Sequence, residues 1–198
     1  MKVGKILVVY GPRQIGKTTL MKDYLTREIF KYKLDTGEDL HVRELFQSGQ
    51  ITRLREYAAG YELIAIDEAQ KIPRIGEGLK LLVDHVENIR VIVTGSSSFE
   101  LAGQIGEPLT GRKTTLTLYP VAQLELAGIY NDFELKKRLE EHLIFGEYPE
   151  VITAESKEEK VRILNEITGS YLLKDVLELE RVKSSKILLD LLRLLAFQ

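Results

Sequence analysis

Lys17, Thr18 and Thr19 directly follow Gly16, and Gly11 lies five positions before that glycine. This spacing fits G-x-x-x-x-G-K-[ST], a loop whose backbone N–H groups cradle phosphates. Glycines admit backbone conformations closed to other residues and let N–H groups approach an anion closely. In such a loop the lysine reaches the β- and γ-phosphate oxygens and the first hydroxyl goes to Mg²⁺. The candidate nucleotide-binding residues are therefore Gly11, Pro12, Arg13, Gln14, Ile15, Gly16, Lys17, Thr18 and Thr19. A glycine turn with a surface lysine would explain the glycines but not the Lys-Thr pair.

A phosphate loop alone does not say which reaction follows. "LIAIDEAQ" supplies a second set of groups, because Asp67 and Glu68 emerge where an apolar strand would end. Ligands of open α/β sheets bind at the carboxyl ends of the strands. Asp67 is placed to hold Mg²⁺ or its water, and Glu68 to accept a proton from an attacking water. In "VIVTGSSS", the hydroxyls of Thr94, Ser96, Ser97 and Ser98 can serve a γ-phosphate or the lytic water, with Ser96 the first candidate and Thr94 the next. A serine-rich turn capping the following helix would use the same residues. "LTGRKTTL" adds Arg112, suited either to stabilising charge in a phosphoryl-transfer transition state or to a solvated surface position.

The elements that must position these residues follow from hydrophobic periodicity. "KILVVYG", "YELIAIDEAQ" and "IRVIVTGSSS" read as buried strands, "FKYKLD" as a short one and "KTTLTLYP" as a final one ending at Pro120. Residues 16–30 read as the helix opened by the loop. "DLHVRELFQSG", "TRLREYAAG" and residues 77–87 are further helices, the first two ending near a glycine. Strands separated by helices call for an α/β fold with a parallel sheet and right-handed crossovers. After Pro120 the pattern becomes helical in "DFELKKRLEEHLIF", "KEEKVRILNEITGSYLLKDVLELE" and "SKILLDLLRLLAFQ", with "GEYPEVITAES" as an interruption. The last of these stops on apolar residues without a cap, as in a piece of a longer protein.

Composition narrows the classes. The chain has 198 residues, 44% hydrophobic and 29% charged, with a formal net charge of −2, which favours neither disorder nor a uniformly basic nucleic-acid surface. It has no apolar run near the roughly 20 residues of a membrane helix. With no cysteine it has no disulfides or thiolate metal sites, which fits a cytoplasmic location. His41, His85 and His142 are dispersed without metal-ligand spacing.

"GPRQIGKTT", "IDEAQKIP", "VIVTGSSS", "LTGRKTTLTLYP" and "FGEYPEVI" occur here in the order found in AAA-type ATPases of the predicted archaeal and bacterial group. That group carries a C-terminal domain of unknown function, and the chain resembles it over essentially its whole length. The resemblance implies a P-loop NTPase sheet of order 5-1-4-3-2, and ATP with Mg²⁺ as ligands. It also implies an Asp67-Glu68 pair in the carboxylate roles above and Arg112 acting across a subunit interface of a homo-oligomer. It divides the chain into an ATPase core (1–130), a helical lid-like region (131–183) and the first helix of a truncated winged helix (184–198). DNA or a protein partner would then engage the missing C-terminal part. The leading expectation is ATP hydrolysis that drives movement of a C-terminal domain. The alternatives are a slow nucleotide-gated regulatory or scaffold switch and a small-molecule kinase. A GTPase is disfavoured because no N-K-x-D motif is present.

Overall fold

The computed structural model describes residues 1–96 and 108–172, together with residues 190, 191, 193–195 and 197. The strands are β1 (Ile6–Tyr10), β2 (Tyr32–Thr36), β3 (Leu63–Asp67), β4 (Arg90–Gly95) and β5 (Lys113–Thr117). They form one sheet of order β2-β3-β4-β1-β5 in which every pairing is parallel. Read from the other edge, this is the expected 5-1-4-3-2. The inserted strand between the phosphate-loop strand and the strand carrying the acidic pair is β4.

Side-chain alternation explains how the sheet is covered. Ile6, Val8 and Tyr10 of β1, Ile64 and Ile66 of β3, and Val91 and Val93 of β4 belong to one core. Into that core α2 (Leu40–Gln47), α3 (Ile51–Ala58) and α4 (Ile75–His85) send Val42, Leu45, Phe46, Leu54, Leu79 and Leu82. The intervening residues Val9, Leu63, Ala65 and Ile92 face Met21 and Leu25 of α1 (Lys17–Arg27). Both faces are thus apolar, so β1, β3 and β4 read as continuous hydrophobic runs rather than as alternating strands. Each fully buried Ile or Leu contributes about 1.5–3 kcal/mol relative to leaving it in water. The edge strand β5 is different, being exposed from Thr114 to Thr117.

The chain divides into two compact units, one of Met1–Pro12 with Gly16–Leu118 and one of Arg13–Ile15 with Tyr119–Gln198. The second unit has its own small core of Val151, Ile163 and Ile167. Its helices include Asp132–Phe145 and Lys157–Glu166, capped by Asn131 and Ser156. The expected interruption "GEYPEVITAES" contains a helix of its own, Pro149–Thr153, with its proline at the first helical position. A ring that supplies no N–H is tolerated there because that N–H would have no partner in the helix. A further short helix, Gln123–Leu126, was also not legible. The buried Lys160 Nζ donates to the Val151 carbonyl at 2.9 Å and lies 3.1 Å from Glu141 Oε1. Its hydrogen bond holds the Glu141 carboxyl below the usual range.

Candidate phosphate site at the carboxyl edge of the sheet

The parallel register brings the chemistry to one edge. Tyr10, the last residue of β1, is level with Gly95 of β4, and Thr36 of β2 is level with Asp67 of β3. Beyond Tyr10 the chain passes through left-handed conformations at Gln14 (φ 59°) and Gly16 (φ 92°) before entering α1. Gly16 is the residue type that takes such a φ without a Cβ clash.

The start of α1 is open to an anion in a way that the start of α2 is not. Asp39 caps α2, its Oδ1 accepting from the backbone N–H of His41 at 2.7 Å and of Val42 at 3.4 Å. At α1 the capping position is Gly16, no side-chain cap bond is made and the first turn carries no acidic residue. The N–H groups of that turn carry the positive end of the helix dipole. Beside them, the buried Lys17 Nζ donates to the carbonyls of Gly11 at 2.9 Å and Pro12 at 2.7 Å. The ammonium is therefore held within the loop rather than in bulk solvent.

Asp67 joins the loop to the sheet. Its Oδ2 accepts from Thr18 Oγ1 at 2.8 Å, and its Oδ1 accepts from Thr94 Oγ1. Thr94 spends its one proton on Asp67 and takes the backbone N–H of Glu68 on its oxygen at 3.1 Å. It is fully buried, and the Ile66–Val93 pairing of β3 with β4 puts it next to Asp67. Glu68 itself is left-handed at φ 50°. The Lys71 N–H donates to its carbonyl at 3.0 Å. On its other side lies Gly37, whose N–H donates to the Asp67 carbonyl at 2.7 Å. A Cβ on Gly37 would stand 2.4 Å from the Glu68 carbonyl oxygen, so the glycine is needed for close approach.

The structure thus brings Gly11, Gly16, Lys17, Thr18, Asp67, Glu68 and Thr94 to the carboxyl edge. Ser96 is buried just past β4, while Ser97 and Ser98 lie outside the described residues. Arg112 is elsewhere. Its carbonyl accepts from Ile6 N–H at 2.9 Å, which sets it at the amino edge of the sheet. At about 3.3 Å per residue, the length of β1 puts roughly 16 Å between that edge and the loop. Arg112 Nε donates to Asp84 Oδ1 at 2.7 Å, and this bond holds the Asp84 carboxyl below its ordinary range.

The donor set also bears on a metal. Among the described residues no group of three His, Cys, Asp or Glu side chains converges as a metal cage. Mg²⁺ commonly takes one or two protein oxygens and completes its octahedron with water and substrate phosphates. The Thr18 hydroxyl and Asp67 carboxylate fit that requirement. A cavity of about 260 Å³ adjoins them, lined by Asp67, Lys22, Leu34, Asp35, Thr36 and Asp39.

Sequence reasoning missed Gly37 and Gln70 as parts of this site. Gly37 follows a short polar strand, and its closeness to Glu68 is a long-range packing fact that the local sequence does not encode. Gln70 stands within the motif that carries Asp67 and Glu68, and that adjacency was the available signal.

A parallel five-stranded sheet of this order, with a phosphate loop after β1 and an acidic pair after β3, defines a P-loop domain of the AAA type. The chain belongs to the AAA domain family, which matches residues 3–127, and residues 136–198 match a domain of unknown function (DUF8612). Among curated proteins it is similar to an uncharacterised protein of Methanocaldococcus jannaschii, 27% identical over 95% of this chain and 46% of that protein. It is also similar to an uncharacterised protein of Haemophilus influenzae, 24% identical over 96% of this chain and 51% of that one. The chain spans about half the length of these relatives. The crystal structure of a DNA replication initiation factor aligns at 16% identity and TM-score 0.47, covering 84% of this chain and 57% of that one.

Proposed function

We propose that the chain binds ATP with Mg²⁺ and hydrolyses it. The observation that carries this reading is the hydrogen-bonded series Thr18–Asp67–Thr94–Glu68, set beside a lysine held in a phosphate loop. The α1 N-terminus and Lys17 bind and orient the β- and γ-phosphates. Thr18 and Asp67 would hold Mg²⁺, which when bound would supply neutralisation of negative charge at the phosphates. Thr94 fixes the Asp67 carboxylate and the direction of the Glu68 backbone. Glu68 takes the proton of the attacking water. Arg112, on the far edge of the sheet, serves the site of a neighbouring copy.

Turnover of the purified chain with ATP and Mg²⁺ tests this. Lys17→Ala is expected to weaken nucleotide binding at least tenfold. Glu68→Gln is expected to keep binding and lose about 10²–10⁴ in kcat, the usual contribution of a general base. Tight binding with negligible phosphate release from the unsubstituted chain would favour a nucleotide-gated switch. Labelled phosphate arriving on a metabolite rather than in solution would mark a kinase. We assign the work of hydrolysis to movement of a C-terminal domain, with DNA or a protein as its partner.

A further inference from the structure

The Glu68 carboxylate is not left to solvent. Gln70, two residues on, donates from its amide Nε2 to Glu68 Oε2. The other end of the same amide, Oε1, is buried and meets no donor among the described residues. A buried carbonyl oxygen without a donor is costly, and turning the amide over would bring that oxygen against a carboxylate oxygen. The amide therefore keeps the orientation that serves Glu68 at its own expense.

The backbone beneath this contact is fixed independently. Thr94 holds the Glu68 N–H and Lys71 holds its carbonyl, which Gly37 approaches closely. The main chain at Glu68 is already in a left-handed conformation that non-glycine residues adopt at a cost. With the main chain held, the side-chain torsions are the remaining freedom of the carboxylate. Gln70 removes that freedom by occupying one carboxylate oxygen, which leaves the other to accept from water. The short helical turn Ala69–Lys71 sets the reach, because it folds Gln70 back towards Glu68.

We infer that Gln70 is a positioning residue for hydrolysis: its amide holds the Glu68 carboxylate in the orientation that meets the attacking water. This rests on the reading of Glu68 as the base, and it adds no contact between Gln70 and nucleotide.

Steady-state ATP hydrolysis by Gln70→Ala, Gln70→Glu and Gln70→Asn tests it, alongside binding of a non-hydrolysable ATP analogue with Mg²⁺. Gln70→Ala and Gln70→Glu are expected to lose about tenfold in kcat while KM and analogue affinity stay within twofold. Gln70→Glu fills the same volume but replaces the donor with a second carboxylate beside Glu68, so its loss is compared with that of Gln70→Ala, which removes the donor without adding a charge. Gln70→Asn, which keeps the donor on a shorter stem, is expected to fall between. In the Glu68→Gln background, Gln70→Ala is expected to add less than twofold, since both changes remove the same function. Full kcat in Gln70→Glu, or additive losses in the double variant, would overturn the inference. Loss of kcat in Glu68→Gln with full kcat in Gln70→Ala would sink this inference alone. Unchanged kcat in Glu68→Gln would sink the reading of Glu68 as base and this inference with it.

Discussion

Thr94 shows how one hydroxyl serves two neighbours. Its proton is committed to Asp67 and its lone pair to the Glu68 N–H, so it sets the spacing between the two carboxylate residues proposed as metal ligand and base. Thr94→Val keeps the shape but leaves a carboxylate oxygen and a backbone N–H unpaired, at a cost of about 1–3 kcal/mol per group. The expected result is a lowered Tm together with a fall in kcat larger than any change in nucleotide affinity, read by calorimetry and steady-state kinetics. At this scale the sequence was informative where spacing itself is the chemistry, as in Gly11–Thr18. It was ambiguous for "VIVTGSSS", because the choice among four hydroxyls depends on which strand β4 pairs with. That pairing, Ile66 with Val93, is a tertiary fact, and it brings Thr94 to Asp67.

Between elements, two glycines with unequal roles separate site from scaffold. Gly37 packs on the Glu68 carbonyl, whereas Gly78 of α4 packs on Phe46 of α2, where a Cβ would lie 2.9 Å from both a ring carbon and the Phe46 carbonyl oxygen. Overpacking of this kind costs about 1–3 kcal/mol. Both Gly37→Ala and Gly78→Ala should lower Tm, but only Gly37→Ala should lower kcat in molecules that remain folded. The pair Arg112–Asp84 ties the start of β5 to the last turn of α4. Asp84 has its folded pKa lowered, so its contribution is full above the unfolded value of about 3.9 and is lost as pH falls through the folded one. The Tm difference between Asp84→Asn and the unsubstituted chain should therefore be present at pH 7 and vanish on acidification below that range. The strands and the first four helices were legible because buried parallel strands and amphipathic helices have different periods. Pro149–Thr153 was not, since five residues cannot display a helical period.

For the whole molecule, the sheet has its phosphate loop on one edge and Arg112 on the other. A head-to-tail contact between copies would bring the two together, and such contacts close rings or extend filaments. Mixing Arg112→Ala with Lys17→Ala should restore hydrolysis in a demonstrated oligomer, because each supplies what the other lacks. No recovery of phosphate release in that mixture would remove Arg112 from a role in trans. The sheet order was legible through the ordered motifs. The grouping of Arg13–Ile15 with the second unit was not, because no pattern in "GPRQIGKTT" encodes it.

The open start of α1 has a thermodynamic consequence. Where α2 carries its own cap in Asp39, α1 has no side-chain cap, so the phosphate proposed to bind there would complete the first turn of the helix that holds it. Folding and binding are then linked, and at a hundred times Kd the stabilisation is about 2.7 kcal/mol. Thermal melts of the chain against rising ATP and Mg²⁺ should climb accordingly, and those of Lys17→Ala should begin to climb only at nucleotide concentrations at least tenfold higher.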